Sequence, residues 1–237
     1  MEAGKHMSEK TSRILALIPA YNEQEHIAGV VNQAKKYLPV LVVDDGSKDN
    51  TSEIVSRAGA EVIRQEPNQG KGAAMARGFE YALANGFAAV ITLDGDGQHN
   101  PEEIPIFVAA FDKNHSDLII GERDFGKMPF IRMCTNTIGT WMFSWAMGQH
   151  IPDNQSGYRL ISANLMKAML ASRNHGFEFE VEMILRCVVE KQKMSWIHIQ
   201  TIYADEHSHI QPLRHGWRFL LLTFNTRTAV RSAKAQK

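Results

Sequence analysis

The chain carries no surplus of charge: 26 basic and 26 acidic side chains leave its 237 residues formally neutral. There is thus no global basic field to hold nucleic acid, and none is expected as a partner. Cysteine is scarce. Cys134 and Cys187 lie far apart and match no metal or redox spacing, so both are expected to be reduced, packed residues of a cytoplasmic protein. No window reaches about 18 uncharged apolar residues, so no membrane span is expected. Internal repeats, low-complexity tracts and linkers are missing. Residues 1–10 are polar, lack the apolar region of a signal peptide and are read as a leader, with 11–237 as a single domain. Two glycine signatures are also absent. No Gly-x-Gly-x-x-Gly follows the first strand, which argues against a nicotinamide dehydrogenase. Gly70-Lys71-Gly72 lacks the spacing of a Walker loop.

What is present is a regular alternation. Short apolar runs predict buried strands over 13–19, 40–43, 60–64, 88–93 and 118–121. Helices are expected between them: over 23–37, from Asp49-Asn50-Thr51 with Asp49 or Thr51 as cap, from 68–70 to Ala84, and from Pro101. The second half reads as helices over 129–148, 162–170, 179–191 and 213–230, a polar turn over 153–159 and a strand over 196–203. Such alternation predicts an α/β fold: a mainly parallel, Rossmann-like sheet with helices on both faces and an elaborated carboxyl-terminal part. Ligands then bind beyond the carboxyl ends of the strands. Four polar clusters fall there: Tyr21-Asn22-Glu23, Asp44-Asp45-Gly46-Ser47, Asp94 to Gln98, and Glu122-Arg123.

The sharpest of these is Asp94-Gly95-Asp96-Gly97-Gln98-His99, directly after the apolar run Ala88 to Leu93. Paired carboxylates at the end of a buried strand are costly unless something binds them. Gly95 and Gly97 let the backbone approach a ligand. Carboxylate oxygens suit a hard cation, Mg²⁺ or Mn²⁺, which in turn grips phosphate oxygens. His99 is read as structural, because oxygen donors suit that ion better. The plainer alternative is an acidic turn; for Asp44 to Ser47 it is a tight turn with Asp49 capping the next helix, the lesser of the two readings there. Lys71, at a helix amino terminus that attracts phosphate, reads either as a donor-binding group or as a solvated cation.

Ile18-Pro19-Ala20-Tyr21-Asn22-Glu23, then Val42-Val43-Asp44-Asp45-Gly46-Ser47-Lys48-Asp49-Asn50-Thr51, Asn68-Gln69-Gly70-Lys71-Gly72 and Asp94 to His99, in that order, resemble glycosyltransferase family 2. Gln98-His99 after the acidic pair, Gly121-Glu122-Arg123 and Ser156-Gly157-Tyr158-Arg159 make the chain most similar to the dolichyl- and polyprenyl-phosphate sugar transferases. The resemblance spans roughly residues 13–218. It implies the GT-A fold, with a nucleotide-binding half near 13–125 and an acceptor half near 126–237. It also implies inverting transfer of a sugar from a GDP- or UDP-sugar. Pro19, Tyr21 and Glu23 would line the nucleotide pocket, and Asp45 with Asp44 would hold base or ribose. Asp94 would bind ribose or sugar, Asp96 and Gln98 would ligate the metal, and Arg123 would meet the donor or acceptor phosphate. Asp153 stands where related enzymes place an acid near the reaction centre, as base or acceptor-orienting group. Arg159 would pair with phosphate or with an acidic site residue. Glu182 is the acid of Glu178, Glu180 and Glu182 expected to face the acceptor.

Chemistry asks for the same residue types. A metal neutralises the leaving diphosphate, a guanidinium reads phosphate in bidentate fashion, and a sugar-hydroxyl acceptor needs a base where a lipid phosphate does not. One departure stands out: His209 occupies a position where a lysine is expected for a polyprenyl-phosphate acceptor, so either Arg214 compensates or the acceptor differs. The uncharged, Trp-rich stretch 134–148 suits a core helix, a homodimer face or a helix lying on a membrane, the last giving a peripheral place at its cytoplasmic face. Competing readings are a transferase acting on a saccharide hydroxyl, a sugar nucleotidyltransferase and a non-catalytic binding module. Tyr21-Asn22-Glu23 stands where the nucleotidyltransferase would need a basic glycine-rich loop.

Overall fold

The computed structural model of the chain describes residues 13–124, 126, 130–172, 178–200, 223, 226–228 and 230–232. The leader lies outside them, as do His209, Arg214 and most of the expected 213–230 helix. Among the described residues, seven strands form one sheet: β1 (Ile14–Ala20), β2 (Val40–Asp44), β3 (Glu61–Arg64), β4 (Ala89–Thr92), β5 (Leu118–Arg123), β6 (Arg159–Ser162) and β7 (Met194–Ile199). Helices α1 (Ile27–Ala34), α2 (Thr51–Arg57), α3 (Lys71–Ala84), α4 (Ile104–Asn114), α5 (Phe130–Met147), α6 (Ala163–Met169) and α7 (Glu178–Glu190) cover it.

Period-2 alternation builds both faces of the sheet. Leu15 and Leu17 of β1, Leu41 and Val43 of β2, and Val90 of β4 pack on one side against Met75 and Phe79 of α3 and Ile184 of α7. Ile14, Ala16 and Ile18, with Val40, Val42 and Ile91, pack on the other against Ile27 and Val31 of α1, Val55 of α2 and Phe107 of α4. A sheet buried on both faces explains why these strands read as unbroken apolar runs.

The spatial order is β3-β2-β1-β4-β6-β5-β7. All neighbours are parallel except those of β6, which runs antiparallel to β4 and β5. The sequence reading missed β6, placing its residues between a turn and a helix. Four residues, Arg-Leu-Ile-Ser, carry too little periodicity to announce a strand beside a helix start. The consequence is large. An antiparallel strand delivers its incoming loop, 153–158, to the rim where the parallel strands end.

Element ends differ modestly from expectation. α1 begins at Ile27 because residues 23–26 make a separate turn, with His26 N–H donating to Glu23 O. Asn50, not Asp49 or Thr51, sits at the α2 cap position, while Asp49 Oδ1 accepts the Thr51 N–H at 3.0 Å. Pro101 opens a 3₁₀ turn over Pro101–Glu103 rather than α4 itself. Cys187 is buried, and burial pushes its thiol up to about 12, which leaves it unreactive. Among the described residues, no helix is long and apolar enough to cross a membrane.

Close packing of α3 on β1 depends on Gly78. A Cβ there would lie 2.3 Å from Leu17 Cδ1, and Leu17 is fully buried and cannot swing aside. Gly78→Ala is therefore expected to destabilise the protein by about 1–3 kcal/mol despite alanine's better helix propensity. Urea denaturation should show a lower midpoint at unchanged slope.

Candidate active site

The loops after β1, β2, β3, β4 and β5 and the loop before β6 meet at one edge of the sheet. The first two are stitched together. Asn22, in the left-handed region at φ +58°, accepts the Lys48 N–H through Oδ1 at 2.7 Å, while its own N–H donates to Ser47 Oγ at 2.9 Å. Glu23 N–H donates to Thr51 Oγ1 at 2.9 Å. Tyr21 is exposed at this edge, whereas Pro19 is buried within β1 opposite Val43.

Asp44 and Asp45 have a different geometry from the one expected of ligand-binding acids. Asp44 is fully buried and accepts the Ser47 N–H at 2.8 Å and the Ser52 hydroxyl, with Arg64 3.6 Å away. Asp45, 3% exposed, accepts from Gln65 Nε2 at 2.6 Å and from the Gln69 and Gly70 N–H groups at 2.8 Å each. Both carboxylates are committed to shaping turns, and Asp45 ties the β2 exit to the loop that starts α3. A carboxylate accepting several N–H bonds fixes its loop firmly.

The β4 exit is the charged centre. Asp94, with 29% of its side chain exposed, lies 2.6 Å from Lys71 Nζ, and Glu180 Oε1 of α7 lies 3.1 Å from the same nitrogen. Burial works to raise the Asp94 carboxyl, but the Lys71 ammonium outweighs it and holds the group well below the usual carboxylate range. Burial likewise works to lower Lys71, and Asp94 and Glu180 together outweigh that and raise it. Asp94 N–H donates to His99 Nδ1 at 3.0 Å, which leaves the proton of the neutral ring on Nε2. Burial depresses His99, and its ring stacks on Tyr158 with centroids 5.0 Å apart. Its Nδ1 thus already accepts a bond from the backbone.

Asp96 and Gln98 are half-buried, and Gln98 N–H donates to Asp96 Oδ1 at 2.9 Å around Gly97, which takes φ +78°. Gly95 is packed beneath Glu23: a Cβ there would lie 3.1 Å from Glu23 Cγ. The donors that the turn offers are oxygens, those of Asp94, Asp96 and the Gln98 amide, and they fit a hard cation. Among the described residues, no three or more His, Cys, Asp or Glu side chains converge as a complete cage. A Mg²⁺-type site made of one or two carboxylates completed by substrate phosphates needs none.

Arg123 and Asp153, expected as separate functional groups, are brought together. Arg123 Nε and Nη2 lie 2.7 and 2.9 Å from the two oxygens of Asp153, a bidentate pair. Asp153 is fully buried and also accepts the Gln155 and Ser156 N–H groups. Arg159 is fully buried as well. Its guanidinium donates to the carbonyls of Ser156, Asn154 and Glu180, so it braces the 153–157 loop against α7 instead of reaching a phosphate. Gly157 closes the arrangement, since a Cβ there would lie 2.8 Å from Asp94 Oδ2 and 3.1 Å from Lys71 Nζ.

Glu182 is the acid expected to face the acceptor. In the structure Glu182 bonds Ser172 Oγ at 2.5 Å and Arg186 at 3.0 Å, whereas Glu180 is the buried one facing Lys71. The sequence does not separate the two: Glu180 shares a helical stripe with Ile184 and Cys187, and Glu182 shares one with Leu185 and Val189.

A mostly parallel sheet with paired carboxylates, an ammonium and glycine turns at its carboxyl rim defines an α/β enzyme of the GT-A class, whose work is sugar transfer. The chain belongs to glycosyltransferase family 2, whose sequence model (Glycosyl transferase family 2) matches residues 16–174. It is 31% identical over 192 residues to an undecaprenyl-phosphate mannosyltransferase of Micrococcus luteus, covering 73% of this chain and 77% of that protein. It is 29% identical over 217 residues to a UDP-N-acetylglucosamine–dolichyl-phosphate N-acetylglucosaminyltransferase of Methanococcus voltae, covering 81% and 86%. The fold is that of the Mycobacterium tuberculosis glucosyl-3-phosphoglycerate synthase in complex with UDP, with a TM-score of 0.73 at 16% identity over 92% of this chain and 80% of that one. The same synthase has also been solved with Mn²⁺ and UDP-glucose.

Breaking the Arg123–Asp153 pair should take a bidentate partner from a largely buried guanidinium and leave the backbone N–H groups of Gln155 and Ser156 without the carboxylate that holds them. Asp153→Ala is expected to cost about 3–5 kcal/mol of stability, measured by chemical denaturation. A variant as stable as the parent, defective only in turnover, would return Asp153 to the role of base.

Proposed function

We propose that this enzyme transfers a sugar, with inversion, from a nucleotide-diphosphate donor to a polyprenyl or dolichyl phosphate, using a divalent cation held by Asp96 and Gln98. The observation that carries this reading is the Asp94-Gly95-Asp96-Gly97-Gln98 turn at the β4 exit, backed by Lys71. The Micrococcus undecaprenyl-phosphate and Methanococcus dolichyl-phosphate transferases support an isoprenoid phosphate acceptor. The cation, Mg²⁺ or Mn²⁺, supplies charge neutralisation of the departing diphosphate. Tyr21 and Glu23 border the donor's nucleoside end. Lys71 adds a fixed positive charge beside the turn, in a place where preorganised electrostatics weigh most.

Asp153 favours a phosphate acceptor over a saccharide hydroxyl. Attack by a neutral hydroxyl needs a base that can take its proton. The acid expected for that task is fully buried and bonded to Arg123 and two backbone N–H groups. An anionic phosphate oxygen needs no such base.

Two experiments test this. Donor nucleotides should raise the melting temperature only with Mg²⁺ or Mn²⁺ present, with GDP against UDP identifying the base. Asp96→Ala should lower transfer by about 100-fold or more at nearly unchanged melting temperature, as expected when several kcal/mol of metal-borne charge stabilisation are lost. Full turnover by Asp96→Ala would refute the metal assignment.

A lipid phosphate acceptor supports a contact with the membrane surface, and α5 is the surface suited to it. Ile138, Trp141 and Trp145 stand on one face of α5, with Trp141 71% exposed, while Phe143, Ala146 and Met147 face the core. Arg227 lies over the Trp145 ring at 5.0 Å. Indoles and a cation at one level suit the headgroup region. Vesicles containing anionic lipid should co-sediment the enzyme, and Trp141→Ala/Trp145→Ala should abolish this while leaving its melting temperature unchanged. Equal sedimentation of both proteins would reject α5 as the contact.

A further inference from the structure

Glu180 has a place in the site that its position in sequence does not advertise. It lies in the first turn of α7, in the acceptor half, yet it is 5% exposed and its Oε1 is 3.1 Å from the Lys71 ammonium at the start of α3. Among the described residues, the Lys71 ammonium is the group that meets Oε1, as an ion pair. A buried carboxylate with so few partners is retained at a cost. Its backbone is fixed as well: the Glu180 carbonyl accepts a hydrogen bond from Arg159 Nη1. Lys71 Nζ therefore stands between two acids from different halves of the domain. Gly157 leaves room for the closer pair, and any side chain there would collide with both Asp94 and Lys71.

The charge balance gives this arrangement a consequence. One ammonium faces two carboxylates, Asp94 at 2.6 Å and Glu180 at 3.1 Å, and the charges of Arg123 and Arg159 also reach Asp94 and Glu180 respectively. With Lys71 and Asp94 alone, the ammonium would cancel Asp94 outright and compete with any cation approaching the turn. Glu180 draws part of that positive charge to itself and leaves the field of Asp94 available two residues from Asp96.

We infer that Glu180 is a positioning residue that acts through Lys71 to keep the Asp94–Asp96 turn negative enough to bind its divalent cation. The inference rests on the metal reading given under Proposed function, and the test separates the two.

The probe is Mn²⁺ alone, titrated into donor-free full-length protein with free Mn²⁺ followed by electron paramagnetic resonance. Glu180→Gln keeps the shape and removes the charge. It should weaken Mn²⁺ binding by about tenfold, within the range of couplings between contacting charges. Lys71→Gln should tighten Mn²⁺ binding, because the competing cation is gone. Glu180→Gln added to Lys71→Gln should then change little. Unchanged Mn²⁺ affinity in Glu180→Gln overturns the inference. So does an equal loss in the parent and Lys71→Gln backgrounds, which would mean that the Glu180 charge acts on the metal directly. Should Glu180→Gln fail to fold, Lys71→Gln still decides: no gain in Mn²⁺ affinity rejects a competing ammonium. If the unaltered protein binds no Mn²⁺, the metal reading itself fails, a result distinct from the others.

Discussion

Charge taken out of water must be paired, and at this sheet rim that requirement organises everything else. Lys71 is shared between Asp94 and Glu180, and Arg123 is clamped on Asp153. Each pair joins segments remote in sequence: the β4 exit to α3 and α7, and the end of β5 to the loop before β6. Loops built of polar residues would otherwise be held by few apolar contacts. Here their positions are set by carboxylates whose oxygens are committed to backbone N–H groups and cations, as with Asp45 on the Gln69 and Gly70 amides.

The direction of β6 makes this possible. In a wholly parallel sheet, the loop before a strand lies on the far rim from the loops after its neighbours. Because β6 runs against β4 and β5, residues 153–158 arrive at the same rim as Asp94 to His99. Thr92 Oγ1 donates to Gly157 O at 2.7 Å, and Gly121 N–H donates to Tyr158 O at 2.9 Å, fixing that loop on both sides. Tyr158, stacked between His99 and Phe107, carries the arrangement down into the core. Residues 153–158 thus join the rim that the loops after β1, β2 and β4 begin.

Much of the fold was legible in the sequence because buried parallel strands leave unmistakable apolar runs, as in Ile14–Ala20 and Leu118–Ile120. The candidate site was legible as a set of residues, since acids and glycines next to such runs have few other reasons to be there. Two things were hidden. β6 is too short to show a period, and α7 mixes Glu178, Glu180 and Glu182 so closely that only the helix's rotation separates the buried acid from the others. Asp44, Asp45 and Arg159 are residue types that suit ligands, and the fold engages them with backbone groups, a detail that residue type alone does not carry.

By itself, the sequence determined that strands alternate with helices, that their carboxyl ends carry acids and glycines, and which family the chain belongs to. Those properties live in local pattern, where spacing and residue type carry the information. Tertiary structure alone decided which charge neutralises which: that Arg123 closes on Asp153 and that Glu180 rather than Glu182 shares Lys71. The physical reason is that Coulomb energy depends on separation in space and on exclusion of water, and neither quantity exists until the strands are paired.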